Sequence, residues 1–153
     1  MSGKKKRKRS NLQPGGSSSR PKVSAMIIEM AADYIGSGKT LKERQNALSH
    51  VATAWNLALL TKEKRKMRLH QFKEFYMNLY PTTTEAEFQR VKEVLEKLIA
   101  RKLKYFPNIN RVIFNAELLV IDGKEHITVQ STEEKDLKAS RHPTALSLPG
   151  LKP

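Results

Sequence analysis

Cysteine is absent from this 153-residue chain, and aromatic residues make up only 7% of it, with a single tryptophan. Without thiols the chain can form no disulfide, no thiolate zinc site and no cysteine nucleophile. No stretch approaches the roughly 20 apolar residues that a membrane-spanning helix needs. The basic N-terminus is followed by polar residues, where a signal peptide would have an apolar segment. We therefore expect a soluble, intracellular protein with no membrane association.

Acidic residues are also scarce: 15 Asp and Glu stand against 29 Lys and Arg, which gives a net charge of +14. The excess is uneven, because residues 1–22 hold eight basic residues and no acidic one. Such a segment buries too little apolar surface to offset the entropy lost on ordering. The sequence thus predicts a disordered basic arm and linker over 1–22, one domain over 23–131, and a disordered polar tail over 132–153.

The spacing of apolar side chains predicts four amphipathic helices within the domain. They cover about residues 24–35, 40–60, 61–80 and 84–106. Thr40 with Glu43, and Thr84 with Glu87, have the spacing of a capping box, in which the two side chains bond each other's free backbone N–H groups. In the third helix the predicted buried stripe consists of Leu69, Phe72, Tyr76 and Leu79.

Beyond Pro107 the apolar period changes from 3.6 to 2, which is typical of a β-strand. Every second position of this segment holds Val112, Phe114, Ala116, Leu118 or Val120. Asp122-Gly123 follows and is a strong signal of a two-residue hairpin turn. This turn pairs Leu118 with Ile127 and Ala116 with Val129, on an apolar face that we expect to pack on the helices. The predicted fold class is α+β, with about four helices followed by a C-terminal β-hairpin.

Three groups of basic residues are candidates for contact with nucleic-acid phosphates. The first group is the consecutive run Lys4, Lys5, Lys6, Arg7, Lys8 and Arg9. The second opens the third helix and consists of Lys62, Lys64, Arg65, Lys66 and Arg68. The third is a stripe on the fourth helix, formed by Arg90, Lys97, Arg101 and Lys104. The plain alternative is that the two helical groups are solvated outer faces and that the first run is a solubilising tail. The first run also fits a nuclear-import signal.

Positive charge in the first turn of a helix opposes the helix dipole. A purely structural segment can avoid this local cost, so the second group favours a phosphate-facing role. The aromatic residues fall mostly on core-like stripes and form no platform for stacking bases. We therefore expect contact with phosphate charge and little discrimination between base sequences.

Gly36-Ser37-Gly38-Lys39-Thr40 is similar to the end of a phosphate-binding loop, but the position of the first required glycine is Asp33. The segment also follows a helix instead of a strand. Two glycines that break one helix and a threonine that caps the next explain every residue of the segment, and a phosphate bound at the start of the next helix is a weaker alternative. No histidines are spaced as zinc ligands. The sequence predicts no catalytic residue, metal or cofactor.

The pattern as a whole favours a non-enzymatic nucleic-acid-associated protein that binds DNA or RNA. The alternative is a helical protein–protein interaction module or regulator whose basic arm is only a targeting signal or charge tether. The expected location is the nucleus in a eukaryote, and the cytoplasm or nucleoid in a bacterium. Composition leaves the oligomeric state open.

Overall fold

The computed structural model describes residues 22–133, which form four helices followed by an antiparallel two-stranded hairpin. The elements are α1 (Val23–Gly36), α2 (Leu41–Ala58), α3 (Lys62–Leu79), α4 (Glu85–Tyr105), β1 (Arg111–Ile121) and β2 (Lys124–Glu133). This arrangement confirms the predicted α+β class. Strand β2 continues two residues beyond the expected domain end at 131. Residues 1–21 and 134–153 lie outside the described part, so the predictions for the arm and the tail do too.

The starts of α2 and α4 are fixed by their local sequence. Thr40 accepts a hydrogen bond from the backbone N–H of Glu43 at 3.1 Å, and the Glu43 carboxylate accepts one from the Thr40 N–H at 3.2 Å. Thr84 and Glu87 form the same reciprocal pair. Both predicted capping boxes are confirmed, and they satisfy N–H groups that the first helical turn leaves without partners.

Helix α3 contributes less to the core than its sequence predicts. Phe72 is its one buried residue, while Leu69, Tyr76 and Leu79 are half-buried. The ring of Phe72 lies 6.0 Å from the ring of Phe88 in α4, and the ring of Tyr76 lies 5.7 Å from the same Phe88 ring. The predicted stripe was therefore only partly right, because α3 lies at the margin of the helix layer and is anchored mainly by aromatic contacts.

The hairpin has the predicted turn and register. Asp122 and Gly123 both have positive φ, at 51° and 75°, as a two-residue turn between twisted strands requires. Leu118 pairs with Ile127. The register shifts at Phe114, which is extra in β1 and is 44% exposed, whereas Ile113 is fully buried. The prediction that Phe114 faces the helices was wrong, because a bulge resets the alternation of side chains between the two faces.

Two amide side chains of α2 cap the outer edge of β1. Asn56 donates to the carbonyl of Ile113 at 2.7 Å and accepts from its N–H at 2.8 Å. Gln45 donates to the Ala116 carbonyl at 3.1 Å and accepts from the Leu118 N–H at 2.7 Å. Each amide thus presents one donor and one acceptor, as a neighbouring strand would, so β1 is protected on both edges.

Candidate nucleic-acid interface

Arg65, a predicted phosphate contact, is bound to the end of α2. Its Nε donates to the Leu57 carbonyl at 3.0 Å, and one terminal nitrogen donates to the Leu60 carbonyl at 3.1 Å. The last carbonyls of a helix have no partner within it and carry partial negative charge, so a guanidinium stabilises them. Arg65 therefore has a structural role, joining α3 to the C-terminal end of α2.

Arg101, predicted in the α4 stripe, joins α4 to α1. Its two terminal nitrogens donate to the two carboxylate oxygens of Asp33 at 2.9 and 3.1 Å. One of them also donates to the Met30 carbonyl at 3.1 Å, beside the non-helical Ala31. These hydrogen bonds from Arg101 hold the pKa of Asp33 below its ordinary value. The guanidinium is thus engaged by the fold before any ligand binds.

Most other candidates on the helices are exposed and lack an acidic partner. Within residues 22–133 none of them forms an ion pair with a carboxylate. The exposed ones are Lys62, Lys64 and Lys66 in α3 and Arg90, Lys97 and Lys104 in α4. Arg68 is half-buried. The run from Lys4 to Arg9 lies outside the described residues.

Lys73 shows which flank of α3 faces α4. Its ammonium lies 2.7 Å from the Glu85 carboxylate and 5.9 Å from the centre of the Phe88 ring, both in the first turn of α4. At about 100° of rotation per residue, Lys62 and Lys66 lie within about 20° of Lys73 around the helix axis. These two lysines therefore share the flank of α3 that faces α4.

The second basic group divides between two flanks of α3. Lys64 and Arg68 lie about 180° and 140° around the axis from Lys73. A single phosphate backbone on the α4 side of α3 therefore cannot contact all of the predicted cluster. We use the name α3–α4 basic surface for two exposed groups of residues. Lys62 and Lys66 lie on the flank of α3 that faces α4, whereas Arg90, Lys97 and Lys104 lie about 160–200° around the α4 axis from Phe88, whose ring contacts α3.

The beginning of α3 and the end of α4 lie at the same end of α2. Arg65 bonds the last carbonyls of α2, and the Trp55 ring in α2 lies 6.1 Å from the ring of Phe106. The ammonium of Lys102, near the end of α4, lies 5.0 Å from the Trp55 ring. The fold thus brings the basic start of α3 and the basic end of α4 to one end of the molecule.

The glycine-rich segment between α1 and α2 has its backbone donors occupied. The N–H groups of Lys39 and Thr40 both donate to one Glu43 carboxylate oxygen, at 2.6 and 3.2 Å. A Cβ on Gly38 would lie 2.8 Å from the Arg44 backbone nitrogen, so glycine permits this close packing. The side chain of Glu43 takes the place that a phosphate would need, which supports the structural explanation of this segment.

The described residues, 22–133, contain neither a candidate metal site nor a candidate membrane-spanning helix. Across 22–133, no group of three or more His, Asp or Glu side chains is arranged to hold a metal ion. No helix in that range is both long enough and apolar enough to cross a membrane.

Comparison of the chain with known protein families, curated proteins and solved structures gives no match.

Proposed function

We propose that this is a non-enzymatic protein that binds the phosphate backbone of nucleic acid. The contacts are made by the run from Lys4 to Arg9 and by the α3–α4 basic surface, with low sequence specificity. The observation that carries this proposal is the contrast between two sets of cations. Arg44, Arg65 and Arg101 have partners within the fold, whereas the five residues of the surface are exposed and have no carboxylate partner among residues 22–133.

Phosphate is the chemistry that suits such a surface. Lysine and arginine side chains that neutralise phosphates release condensed counterions, and this release supplies most of the affinity of non-specific complexes. We assign base stacking a minor part, because Phe72 and Phe88 are buried and the exposed aromatic residues are spread over different elements instead of one platform. The exposed ones are Phe75 and Tyr80 in and after α3, Tyr105 at the end of α4, and Phe114 in β1. The expected complex is therefore positioned by the nucleic-acid backbone and discriminates weakly between base sequences.

The proposal is tested by the affinity of the full chain for random-sequence duplex and single-stranded nucleic acid, measured by fluorescence anisotropy at one fixed salt concentration. Reversal of Lys62, Lys66 and Lys97 to Glu should weaken binding at least about tenfold, because three phosphate contacts become repulsive. The matched control reverses Lys39, Lys42 and Lys124, which are equally exposed but lie elsewhere.

The control variant has the same net charge, so a general field effect would weaken binding by both variants equally. Equal weakening would contradict a role for the α3–α4 basic surface. A third variant, with Lys4 to Arg9 replaced by Gln in the full chain, measures what the N-terminal run contributes.

Binding to a protein partner is a second candidate function, and one observation favours it. Leu119, Val120 and Ile121 at the tip of the hairpin are between 39% and 53% exposed. If neither duplex nor single-stranded nucleic acid binds, we assign the run from Lys4 to Arg9 to targeting or to a charge tether. The tip of the hairpin is then the surface that contacts a protein partner. Under the main proposal the protein acts in the nucleus of a eukaryote, or in the cytoplasm or nucleoid of a bacterium.

A further inference from the structure

Arg101 differs from the other two arginines with partners inside the fold, because its carboxylate partner is open to solvent. The side chain of Asp33 is 68% exposed and that of Arg101 is 38% exposed. The corresponding values for Arg44 and its partner Glu125 are 22% and 31%. Arg65 bonds the backbone carbonyls at the end of α2. A phosphate in solution therefore reaches the pair of Arg101 and Asp33 more easily than it reaches the contacts of the other two arginines.

Arg101 also lies on the basic side of α4. At about 100° of rotation per residue, it lies about 40° around the helix axis from Lys97 and about 60° from Lys104. It follows Lys97 by about one helical turn and precedes Lys104 by about the same distance. Both lysines are exposed. A phosphate backbone that follows these two lysines along α4 therefore passes the guanidinium of Arg101.

A second contact holds the guanidinium in place without the help of Asp33. One terminal nitrogen of Arg101 donates to the Met30 carbonyl at 3.1 Å. Met30 precedes Ala31, whose φ of −142° and ψ of 19° mark a kink within α1. Because this hydrogen bond does not involve the carboxylate, displacement of Asp33 leaves Arg101 anchored beside α1.

The carboxylate of Asp33 occupies the donors that a phosphate would use. Its two oxygens accept hydrogen bonds from the two terminal nitrogens of Arg101, at 2.9 and 3.1 Å. A planar guanidinium donates in the same paired manner to two oxygens of a phosphate group. An exposed ion pair contributes little to stability, so the exchange of a carboxylate for a phosphate costs the fold little.

We infer that Arg101 is a further phosphate-binding residue and that Asp33 competes with nucleic acid for it. In the free protein Arg101 joins α4 to α1. In the complex its paired donors bind a phosphate of the backbone that Lys97 and Lys104 contact. Asp33 lowers the affinity for nucleic acid, because it must be displaced and because its carboxylate then lies near the bound phosphate. This inference rests on the proposed function and adds an intramolecular competitor to it.

The test measures the affinity of full-chain variants for a random-sequence duplex, by fluorescence anisotropy at one fixed salt concentration. Asp33→Asn keeps the size of the side chain and removes its charge. It should raise the affinity about threefold or more, which is the scale of competition by an exposed ion pair. The matched control is Asp122→Asn, which makes the same change of charge at an exposed position of the hairpin turn. Asparagine tolerates the positive φ of that position.

Arg101→Gln shows whether the gain in affinity acts through the guanidinium. Alone, this substitution should weaken binding. In the Arg101→Gln background, Asp33→Asn should raise the affinity no more than Asp122→Asn does, because the competition has lost its target. If the ion pair served only to join α1 to α4, Asp33→Asn would loosen that contact without raising the affinity. Circular dichroism shows that each variant remains folded.

The possible failures separate this inference from the proposed function. If the wild type binds the duplex and Asp33→Asn changes the affinity no more than Asp122→Asn does, the inference is overturned and the proposed function stands. A gain that persists in full in the Arg101→Gln background would overturn the assignment of Arg101, because Asp33 would then act on other cations. A wild type that binds no nucleic acid would overturn both.

Discussion

At the scale of single residues, Lys102 shows how this fold accommodates a buried charge. The residue is 1% exposed, and its ammonium donates to the carbonyls of Phe106 and Ile109, at 2.8 Å in each case. The face of the Trp55 ring lies 5.0 Å away on another side. Burial lowers the pKa of Lys102, while the two carbonyls and the ring replace part of the hydration that the ammonium has in water. Lys102 thereby holds the turn after α4 against α2.

We predict that Lys102→Ala lowers the free energy of unfolding by about 2–4 kcal/mol. The substitution leaves a cavity beside Trp55 and removes the hydrogen-bond donor from two carbonyls. Urea denaturation measures the change. Lys104→Ala, at an exposed lysine in the same turn of α4, should stay within about 0.5 kcal/mol of wild type. Equal destabilisation of the two variants would show that the buried contacts do not stabilise the protein.

A second residue couples stability to pH. Burial lowers the pKa of His50 to about 4, and its Nδ1 lies 3.1 Å from the Tyr34 hydroxyl. Because the unfolded chain takes up the proton near pH 6.5, acid favours the unfolded state. The free energy of unfolding should therefore fall as the pH drops from 6.5 to 4, by up to about 3 kcal/mol, and the contribution of His50 should level off below pH 4.

Denaturant unfolding at a series of pH values tests this account. His50→Asn keeps a polar group near Tyr34 but cannot titrate. The slope of the free energy of unfolding against pH, between pH 6.5 and 4, should therefore be much smaller than in the wild type. His70→Asn, at an exposed histidine in α3, should retain the wild-type slope. If both variants kept that slope, the titrating group would lie elsewhere in the chain.

At the scale of elements, the hairpin depends on α2 for the protection of one edge. Asn56→Leu keeps a similar volume but leaves the N–H and the carbonyl of Ile113 without their partner. An unsatisfied buried polar group costs about 1–3 kcal/mol, so we predict that the free energy of unfolding falls by about 2 kcal/mol or more. Asn46→Leu, at an exposed asparagine of the same helix, should change it by less than about 0.5 kcal/mol. Comparable decreases would mean that the edge bonds contribute nothing.

The elements that local chemistry determines were the ones that the sequence predicted well. Thr40 and Thr84 begin their helices because the partner of each capping threonine is three residues away. The hairpin register follows from Asp122-Gly123 and a period of two. The bulge at Phe114 was missed, because a strictly alternating pattern carries no mark of an extra residue.

Contacts between residues that the local sequence pattern does not connect account for the other differences between the predictions and the structure. Arg101 was assigned to the basic stripe because its partner Asp33 is 68 residues away, and no local pattern joins the two. Arg65 was placed in a phosphate-binding cluster for the same reason, since its partners are carbonyls of the preceding helix. The amide caps Gln45 and Asn56 had one visible signal, which is that each is a polar residue beside the apolar face of α2.

At the scale of the whole molecule, the charges fall into two classes with different roles. Arginines at the contacts between elements hold α2, α3 and α4 in place through carbonyls and carboxylates. Lysines dominate the exposed class, including four of the five members of the α3–α4 basic surface. Planar guanidinium groups suit several fixed acceptors, whereas a flexible ammonium group suits contact with a phosphate backbone. This division leads to the proposal of nucleic-acid binding.

The slope of log affinity against log salt concentration tests that proposal most directly. It is measured with one duplex for the wild type, for the variant with Lys62, Lys66 and Lys97 reversed to Glu, and for the matched control. Each neutralised phosphate contributes about 0.9 to the slope on B-DNA. We predict a steep wild-type slope, a reversed variant whose slope is shallower by about 0.9 for each phosphate that it no longer neutralises, and a control that retains the wild-type slope. A reversed variant that kept both the affinity and the slope of wild type would contradict a nucleic-acid interface on α3 and α4.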